Sequence, residues 1–240
     1  MQLEVDILAK AFKNAAGESQ DVLAGVKFSL RAGEVGVLFG PSGCGKSTVL
    51  KIVAGLDHDF QGRVLRPSNA RIGMVFQEPR LLPWRTVEEN VKLAAPLADE
   101  ARLSALFDIL ELKAHLSHFP NELSLGLARR VALARAFAIE PDFLILDEPL
   151  ASLDDALAAR LREQIAILVG DRSVMTLLVT HDLDDAIRLG DRLFLLSARP
   201  AQVLDVVPIC APRSKRSEAV MAAIKTKIAR HTNNSAKRDA

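Results

Sequence analysis

The chain has 240 residues, of which 49% are hydrophobic and 25% are charged, so it fits one globular domain or one domain with an inserted subdomain. The 31 Lys and Arg residues nearly balance the 30 Asp and Glu residues, which excludes a strongly basic nucleic-acid binder. No apolar run reaches the roughly 18 residues of a membrane span, and we expect no secretory signal in the alternating N-terminal segment.

The first predicted elements are strands. Leu3, Val5 and Ile7 alternate with polar residues, which is typical of a half-buried strand, and residues 17–19 predict a hairpin tip. Residues 26–30 predict another strand. Residues 35–39 form a continuous apolar run, as in a strand covered on both faces, and a helix is predicted to begin near Gly45.

The second half of the chain alternates strands and helices. A short strand is predicted at 72–76, and Thr86 with Glu89 has the pattern of a helix-opening capping box. The remaining elements follow in order: helices 99–112 and 125–139, strand 143–146, helix 154–169, strand 174–179, helix 182–189, and strands 193–196 and 203–207. This order predicts an α/β fold with a mostly parallel sheet.

Two segments depart from that alternation. Residues from about 80 to 140 are nearly all helical and predict a subdomain inserted into a domain that spans 1–210. Residues 211–240 form a basic tail with a formal charge of +6, whereas the rest of the chain carries −5. We interpret the tail as solvated and partly frayed, and contact with anionic lipid headgroups or with a partner is the alternative.

The strongest chemical signal is the pattern G-x-x-x-x-G-K-S between an apolar strand and a helix. It comprises Gly40, Pro41, Ser42, Gly43, Cys44, Gly45, Lys46 and Ser47. Glycines let backbone N–H groups approach phosphate oxygens, and the helix N-terminus adds the positive end of its dipole. Lys46 is predicted to neutralise the β- and γ-phosphates, Ser47 to ligate Mg²⁺, and Thr48 to join the phosphate-binding set. Cys44 is interpreted as a small spacer.

A phosphate loop requires a further acid for its metal. Asp147 ends the buried strand at 143–146, so we expect its carboxylate at the carboxyl edge of the sheet, and Glu148 follows directly. One acid is predicted to hold Mg²⁺ through water, and the other to position the attacking water.

From about residue 3 to 207 the chain resembles the ATP-binding cassette (ABC) ATPases, whose fold is a P-loop NTPase core with an antiparallel β subdomain and an inserted helical subdomain. Further residues match the motifs of that family in order: Phe12, Gln77, Ser124, Gly126, Asp154 and His181. The resemblance implies that Gln77 touches Mg²⁺ and the attacking water, that His181 contacts the γ-phosphate, and that Asp154 lies in the D-loop. It also implies that Phe12 stacks on adenine, although a core phenylalanine fits that position as well.

The signature segment departs from the family. The family has Leu-Ser-Gly-Gly-Gln, and this chain has Leu123, Ser124, Leu125, Gly126 and Leu127. Ser124 and Gly126 retain a hydroxyl and a close backbone N–H for the γ-phosphate of a partner's ATP, but Leu125 adds a Cβ where the family has none. We expect a working site with lowered ATPase activity, and a weakly hydrolysing site is the alternative.

Residues 80–91 resemble the importer ATPases for nitrate, sulfonate, taurine and similar small solutes. In ABC ATPases this region accepts a coupling helix of the membrane subunit. Trp84, the only tryptophan, lies there beside Leu81, Leu82 and Pro83, which favours a docking surface between Gln77 and Trp84. The alternative is that Trp84 fills the core of the helical subdomain.

The resemblance thus implies an ATP-hydrolysing subunit that powers a membrane importer with ATP and Mg²⁺. Its implied partners are a second copy of the chain, a transmembrane permease and, indirectly, a substrate-binding protein, with no nucleic acid. We expect it at the cytoplasmic face of the inner membrane, as the lack of a disulfide framework also suggests. The alternatives are a catalytically impaired regulatory cassette and a soluble ABC ATPase acting on nucleic acid or ribosomes.

Overall fold

The computed structural model describes residues 2–13, 17–170 and 174–236. The chain divides into two compact units, one made of Met1–Ser68 with Leu177–Ala240 and the other of Asn69–Thr176. Strand β8 (Met175–Thr180) crosses the boundary between them. The phosphate loop therefore belongs to the first unit, and the signature segment belongs to the second.

The described residues of the first unit include two groups of strands and three α-helices. Its elements are β1 (Gln2–Lys13), β2 (Ser19–Leu23), β3 (Val26–Arg31), β4 (Val35–Phe39), α1 (Lys46–Ala54), β5 (Gln61–Leu65), α6 (Leu183–Leu189), β9 (Arg192–Leu196), β10 (Val203–Pro208) and α7 (Glu218–Ala236).

Strand β1 organises an antiparallel sheet in this unit. It pairs with β3 from Gln2 to Ile7, with β5 from Glu4 to Ala9, and with β2 from Lys10 to Lys13. The predicted half-buried strand is confirmed, because the alternating residues Leu3, Val5 and Ile7 are all buried. This sheet is the antiparallel part of the predicted fold. The predicted hairpin tip at 17–19 leads into β2, which begins at Ser19, and residues 14–16 lie outside the described residues.

A parallel pair carries the phosphate loop. Strand β4 runs parallel to β9, and β10 pairs antiparallel with β9. The first four residues of β4 are buried, as its unbroken apolar run predicts. The packing is close at Gly36, where a Cβ would lie 2.3 Å from Cδ2 of Leu30. The first unit thus fixes the strand from which the loop emerges.

The second unit combines a parallel strand pair with helices. Its elements are β6 (Ile72–Val75), α2 (Val87–Lys92), α3 (Glu100–Ile109), α4 (Leu125–Ala138), β7 (Phe143–Asp147) and α5 (Asp155–Gly170). Strand β6 runs parallel to β7, and every residue of β7 is buried. The capping box of α2 is confirmed: the Thr86 hydroxyl accepts from the Glu89 N–H, and the Glu89 carboxylate accepts from the Thr86 N–H.

Two strands and one α-helix of the described residues were not predicted from the sequence. Strands β2 and β5 are short and largely exposed, and pairing with β1 determines them. Helix α7 lies where a solvated tail was expected, and it buries Met221 and Ile228, which are seven residues apart and so share one helical face. Among the described residues, no helix combines the length and apolarity that crossing a bilayer requires.

Candidate active site

The phosphate loop follows β4 and adopts backbone conformations that favour glycine. Gly43 has φ of 74° and Gly45 has φ of 123°, which are values that residues with a Cβ rarely adopt. A Cβ at Gly43 would meet no atom within 4 Å, and Gly43 is exposed, so the loop is open at this position. A Cβ at Gly45 would lie 2.8 Å from Cδ2 of Leu23. The loop is therefore open at one glycine and packed at the other.

The ammonium of Lys46 lies across this loop. Lys46 is buried, and its Nζ donates to the carbonyl oxygens of Gly40 at 2.8 Å and Pro41 at 2.9 Å. Both acceptors are neutral, so these bonds orient the ammonium without cancelling its charge. A buried charge of this kind is costly unless an anion compensates it. The arrangement fits a bound phosphate group.

Cys44 forms the inner wall of the loop, with only 2% of its surface exposed. Burial raises the pKa of its thiol, and the nearby charge of Lys46 offsets part of that increase. The thiol is therefore neutral near pH 7, which agrees with its interpretation as a spacer. At Gly40 a Cβ would lie 3.0 Å from the Cβ of Leu196, so the loop packs directly against β9.

Helix α1 supplies the remaining groups of the loop. Its nine residues begin at Lys46 with Gly45 as the N-cap, so the first backbone N–H groups and the positive end of the helix dipole lie at the loop. Ser47 is exposed in the first turn, and Thr48 is next to it. A hydroxyl beside a phosphate site is a hard oxygen donor, which suits Mg²⁺.

Two other predicted residues of the first unit lie at the ends of strands. His181 is exposed between β8 and α6, and the side chain of the next residue, Asp182, caps α6 by accepting from the N–H groups of Asp184 and Asp185. Phe12 lies near the end of β1, and 45% of its surface is exposed. Its exposure argues against the alternative that Phe12 is a simple core residue.

The two predicted acids of the second unit have different environments. Asp147 is buried as the last residue of β7, whereas Glu148 is half-buried and has φ of 46°. A positive φ is strained for glutamate and recurs at functional sites, where surrounding contacts hold it.

Arg129 on α4 supplies such a contact and was missed by sequence reasoning. Its buried guanidinium donates through Nη1 to the carbonyl of Pro149 at 3.1 Å, directly after the strained residue. Burial lowers the pKa of Arg129, and the charge of Glu148 opposes that decrease. Helix α4 is apolar on all sides apart from its arginines, so its sequence gave no signal that the Arg129 side chain is buried.

The segment after β6 is held by a second arginine of α4. Gln77 is exposed in this segment, and Arg135 donates to the carbonyls of Pro79 and Arg80, each at 2.9 Å. Arg80 has φ of 47°, and its guanidinium lies over the Phe76 ring at 4.2 Å. Because its backbone is fixed on the carboxyl side, Gln77 sits on an anchored segment.

The predicted signature residues open helix α4. The Ser124 hydroxyl accepts from the Leu127 N–H at 3.3 Å as the N-cap, and 44% of Leu125 is exposed. Gly126 is buried, and a Cβ there would lie 3.6 Å from Cδ1 of Leu157, an ordinary contact distance. Asp154 likewise caps α5 by accepting from the Leu157 N–H.

Trp84 projects from a turn that Asn90 holds together. The buried Asn90 side chain donates to the carbonyls of Leu82, Arg85 and Thr86, and it accepts from the Leu82 N–H. Trp84 is 69% exposed, so it does not fill the core of its unit, which was the alternative to a surface role. An exposed tryptophan on a rigid turn is typical of a contact residue.

The predicted residues divide between the units. The first unit carries the phosphate loop with Phe12 and His181, and the second carries Gln77, Ser124, Gly126, Asp147, Glu148 and Asp154. In the second unit the structure adds two basic residues that the sequence did not single out, Arg129 and Arg135.

A family model described as "ABC transporter" matches residues 23–151. An aliphatic sulfonates import ATP-binding protein SsuB 1 of Pseudomonas aeruginosa is 44% identical over 220 residues, with 85% of this chain and 88% of that protein covered. The aliphatic sulfonates import ATP-binding protein SsuB of Bacillus cereus is 38% identical over 231 residues, with 91% of each chain covered.

Solved structures agree with the sequence relatives. The dimeric structure of a bacterial ABC transporter cassette has a TM-score of 0.75 and 28% identity, with 88% of this chain and 100% of that chain covered. A dimeric post-hydrolysis state of a cassette bound to ADP and Pi has a TM-score of 0.73, 27% identity and the same coverage. The predicted P-loop fold class is thereby confirmed.

Proposed function

Because the chain belongs to the ABC transporter family, we propose that it is the ATP-hydrolysing subunit that powers a membrane importer for nitrate, sulfonate, taurine or a similar small solute. The relatives named above are aliphatic sulfonate import proteins, which favours a sulfonate within this group. The observation that carries the proposal is the buried ammonium of Lys46, held by the carbonyls of a glycine-rich loop at the start of a helix.

Binding of the ATP phosphates and of the base is assigned to residues of the first unit. Lys46 attracts the β- and γ-phosphates, the N–H groups of the loop donate to phosphate oxygens, and Phe12 stacks on the base. Ser47, Gln77 and Asp147 would hold Mg²⁺, which when bound neutralises charge on the phosphates.

Hydrolysis is assigned to Glu148 with Gln77 and His181. Glu148 orients the attacking water or accepts its proton, while His181 contacts the γ-phosphate as the bond to the leaving ADP breaks. Phosphoryl transfer depends more on positioning and charge neutralisation than on covalent chemistry. The strained backbone of Glu148 and the bond from Arg129 to Pro149 support a fixed position for this carboxylate.

Each ATP site needs two copies of the chain. Ser124 and Gly126 of one copy would complete the site on the other, with Asp154 near the junction, so ATP holds the two copies together until hydrolysis releases them. The solved structures similar to this chain are dimeric cassettes, which supports this arrangement.

The membrane partner is a permease that docks near Gln77 and Trp84. The exposed indole and the rigid turn around Asn90 support this assignment. The subunit would then lie on the cytoplasmic face of the inner membrane, and a substrate-binding protein would act on it only through the permease. In the same proposal, the ATPase domain spans residues 1–210 and residues 211–240 form a basic tail.

The test is transport by the reconstituted complex. The tagged chain would be purified with its permease from detergent-solubilised membranes, placed in liposomes, and supplied with ATP and a labelled sulfonate, taurine or nitrate. We expect ATP-dependent accumulation of at least one solute. ATP hydrolysis without accumulation of any of them would contradict the cargo class, and no association with a permease would contradict the importer.

The Leu125 side chain favours one alternative, a regulatory cassette with impaired hydrolysis. Its exposed isobutyl group lies where the family has no side chain, at the start of α4. Turnover that stays negligible with and without the permease, while ATP still binds, would favour this alternative over an importer motor.

A further inference from the structure

Lys10 is a buried cation that does not belong to the motifs of the proposed nucleotide site. It lies on β1, and only 3% of its side chain is exposed, although lysine is rarely buried. Its Nζ donates to Oδ1 of Asp57 at 3.0 Å, to Oδ2 of Asp59 at 3.3 Å and to the Asp59 carbonyl. Burial disfavours the charged form, but these two carboxylates outweigh it and raise the pKa of Lys10. The side chain is therefore a fixed ammonium.

This ammonium lies against the aromatic ring assigned to the base. The Nζ of Lys10 is 4.6 Å from the centroid of the Phe12 ring. The pairing register of β1 with β2 shifts between Lys10 and Ala11, so strand alternation alone does not determine which way these side chains face, and the measured distance is what places the ammonium over the ring. One face of the ring is thus occupied by a cation, an attractive geometry, while 45% of the residue stays exposed.

One of the two aspartates that hold Lys10, Asp57, is itself bonded to the helix of the phosphate loop. The Asp57 N–H donates to the carbonyl of Lys51 on α1 at 3.3 Å. Oδ1 of Asp57 accepts from the Asp59 N–H at 3.0 Å, in addition to the bond from Lys10. A continuous chain of contacts therefore runs from α1 through Asp57 and Lys10 to the Phe12 ring.

We propose that Lys10 is a positioning residue for nucleobase binding, acting through the Phe12 ring. Phenylalanine has no hydrogen-bonding group, so packing alone determines the orientation of its ring. An ammonium fixed on one face holds the ring in place and leaves the other face for the base, which lowers the ordering cost of binding. This inference rests on the proposed function, in which Phe12 stacks on the adenine of ATP.

The test compares a ligand that has a base with one that lacks it. Calorimetry would measure the affinity of Lys10→Met for Mg-ATP and for magnesium tripolyphosphate. We expect ATP affinity to fall about three- to tenfold, the range of a partly desolvated cation–π contact, with tripolyphosphate unchanged. Lys10→Arg keeps a cation for both carboxylates and the ring, and it should bind ATP within about twofold of the wild type.

Two further variants separate a base effect from a loss of folding. Lys27→Met removes an exposed ion pair with Asp6 in the same sheet and should leave both affinities unchanged. In a Phe12→Leu background, Lys10→Met should have no further effect on ATP affinity. If Lys10→Met is unstable in urea unfolding, Lys10→Gln replaces it, because an amide still donates to Asp57 without a charge.

The outcomes distinguish this inference from the proposed function. Equal losses for ATP and tripolyphosphate would mean that Lys10 only supports the phosphate loop, and the inference would be wrong. An unchanged ATP affinity in Lys10→Met, with a loss in Phe12→Leu, would also overturn it but leave base stacking intact. Wild-type ATP affinity in Phe12→Leu would instead contradict the stacking role in the proposed function.

Discussion

The phosphate loop at 40–47 and the signature segment at 123–127 both contain glycine and both include the start of a helix, yet the protein packs them differently. In the loop, a Cβ at Gly40 or Gly45 would lie within 3.0 Å of a neighbouring side chain, and Cys44 is 2% exposed. In the signature segment, 44% of Leu125 is exposed, and the nearest contact of a Cβ at Gly126 is 3.6 Å away.

This difference indicates that the residue types of the two motifs are determined in different ways. The residue types of the loop are required by its own backbone angles and by contacts within its unit, so a change there costs folding as well as binding. Leu125 occupies the first position of α4, which any helical residue can adopt, so its departure from the family costs the isolated chain little. In the proposed function, the demands on the signature segment therefore come from outside the chain, from a second copy and its nucleotide.

The largest effect is expected for Glu148→Gln. The amide cannot accept the proton of the attacking water, so turnover should fall about 100- to 1000-fold while ATP still binds. A dimer should then accumulate in ATP, since two signature segments complete the sites. Light scattering after gel filtration and a phosphate-release assay measure both effects. Glu163→Gln, an exposed acid on α5, is the control. Unchanged turnover in Glu148→Gln would remove this residue from catalysis.

Lys46→Ala tests the loop side of the comparison. Removing the buried ammonium leaves the phosphates without their nearest cation, so ATP affinity should fall at least about 100-fold, or roughly 3 kcal/mol. Titration with a fluorescent ATP analogue measures the loss. Lys51→Ala, on the exposed face of the same helix, keeps the fold and should bind ATP normally. Wild-type affinity in Lys46→Ala would contradict the assignment of the loop.

The sequence could predict what local residues determine. The unbroken apolar run of β4, the glycines of the loop and the start of α1 all follow from short-range sterics and charge, and the structure confirms their order. The capping box at Thr86 and Glu89 is equally local, because both partners lie within one helical turn.

What the sequence could not predict depends on distant partners. Strand β5 has few apolar residues and exists through its pairing with β1. Lys10 and Arg129 look like surface residues until Asp57, 47 residues away, and Pro149, 20 residues away, are seen to hold them. Burial of a charge is a tertiary property, and no periodicity in a single sequence reveals it.

Gly45→Ala sharpens the claim that the loop is self-constrained. The added methyl group meets Leu23 at 2.8 Å in a backbone conformation with φ of 123°, so the free energy of unfolding should fall by about 2–4 kcal/mol. Gly43→Ala is the matched control, because φ of 74° adds strain but no atom lies within 4 Å, and about 1 kcal/mol is expected. Urea unfolding measures both, and equal losses would show that crowding at Gly45 is unimportant.

The smallest effect is expected for Leu125→Gly, which tests the signature segment. Glycine at an exposed helix position should cost up to about 1 kcal/mol of stability. If the isobutyl group obstructs the approach of a second copy, its removal should raise turnover about two- to fivefold, equivalent to a barrier lowered by roughly 0.5–1 kcal/mol. Leu97→Gly removes another exposed leucine side chain and should leave turnover unchanged. A gain in turnover despite a loss of stability would show that Leu125 is unfavourable for contact with a second copy and not for folding of the single chain. Unchanged turnover would mean that the second copy tolerates leucine here as readily as the chain itself does.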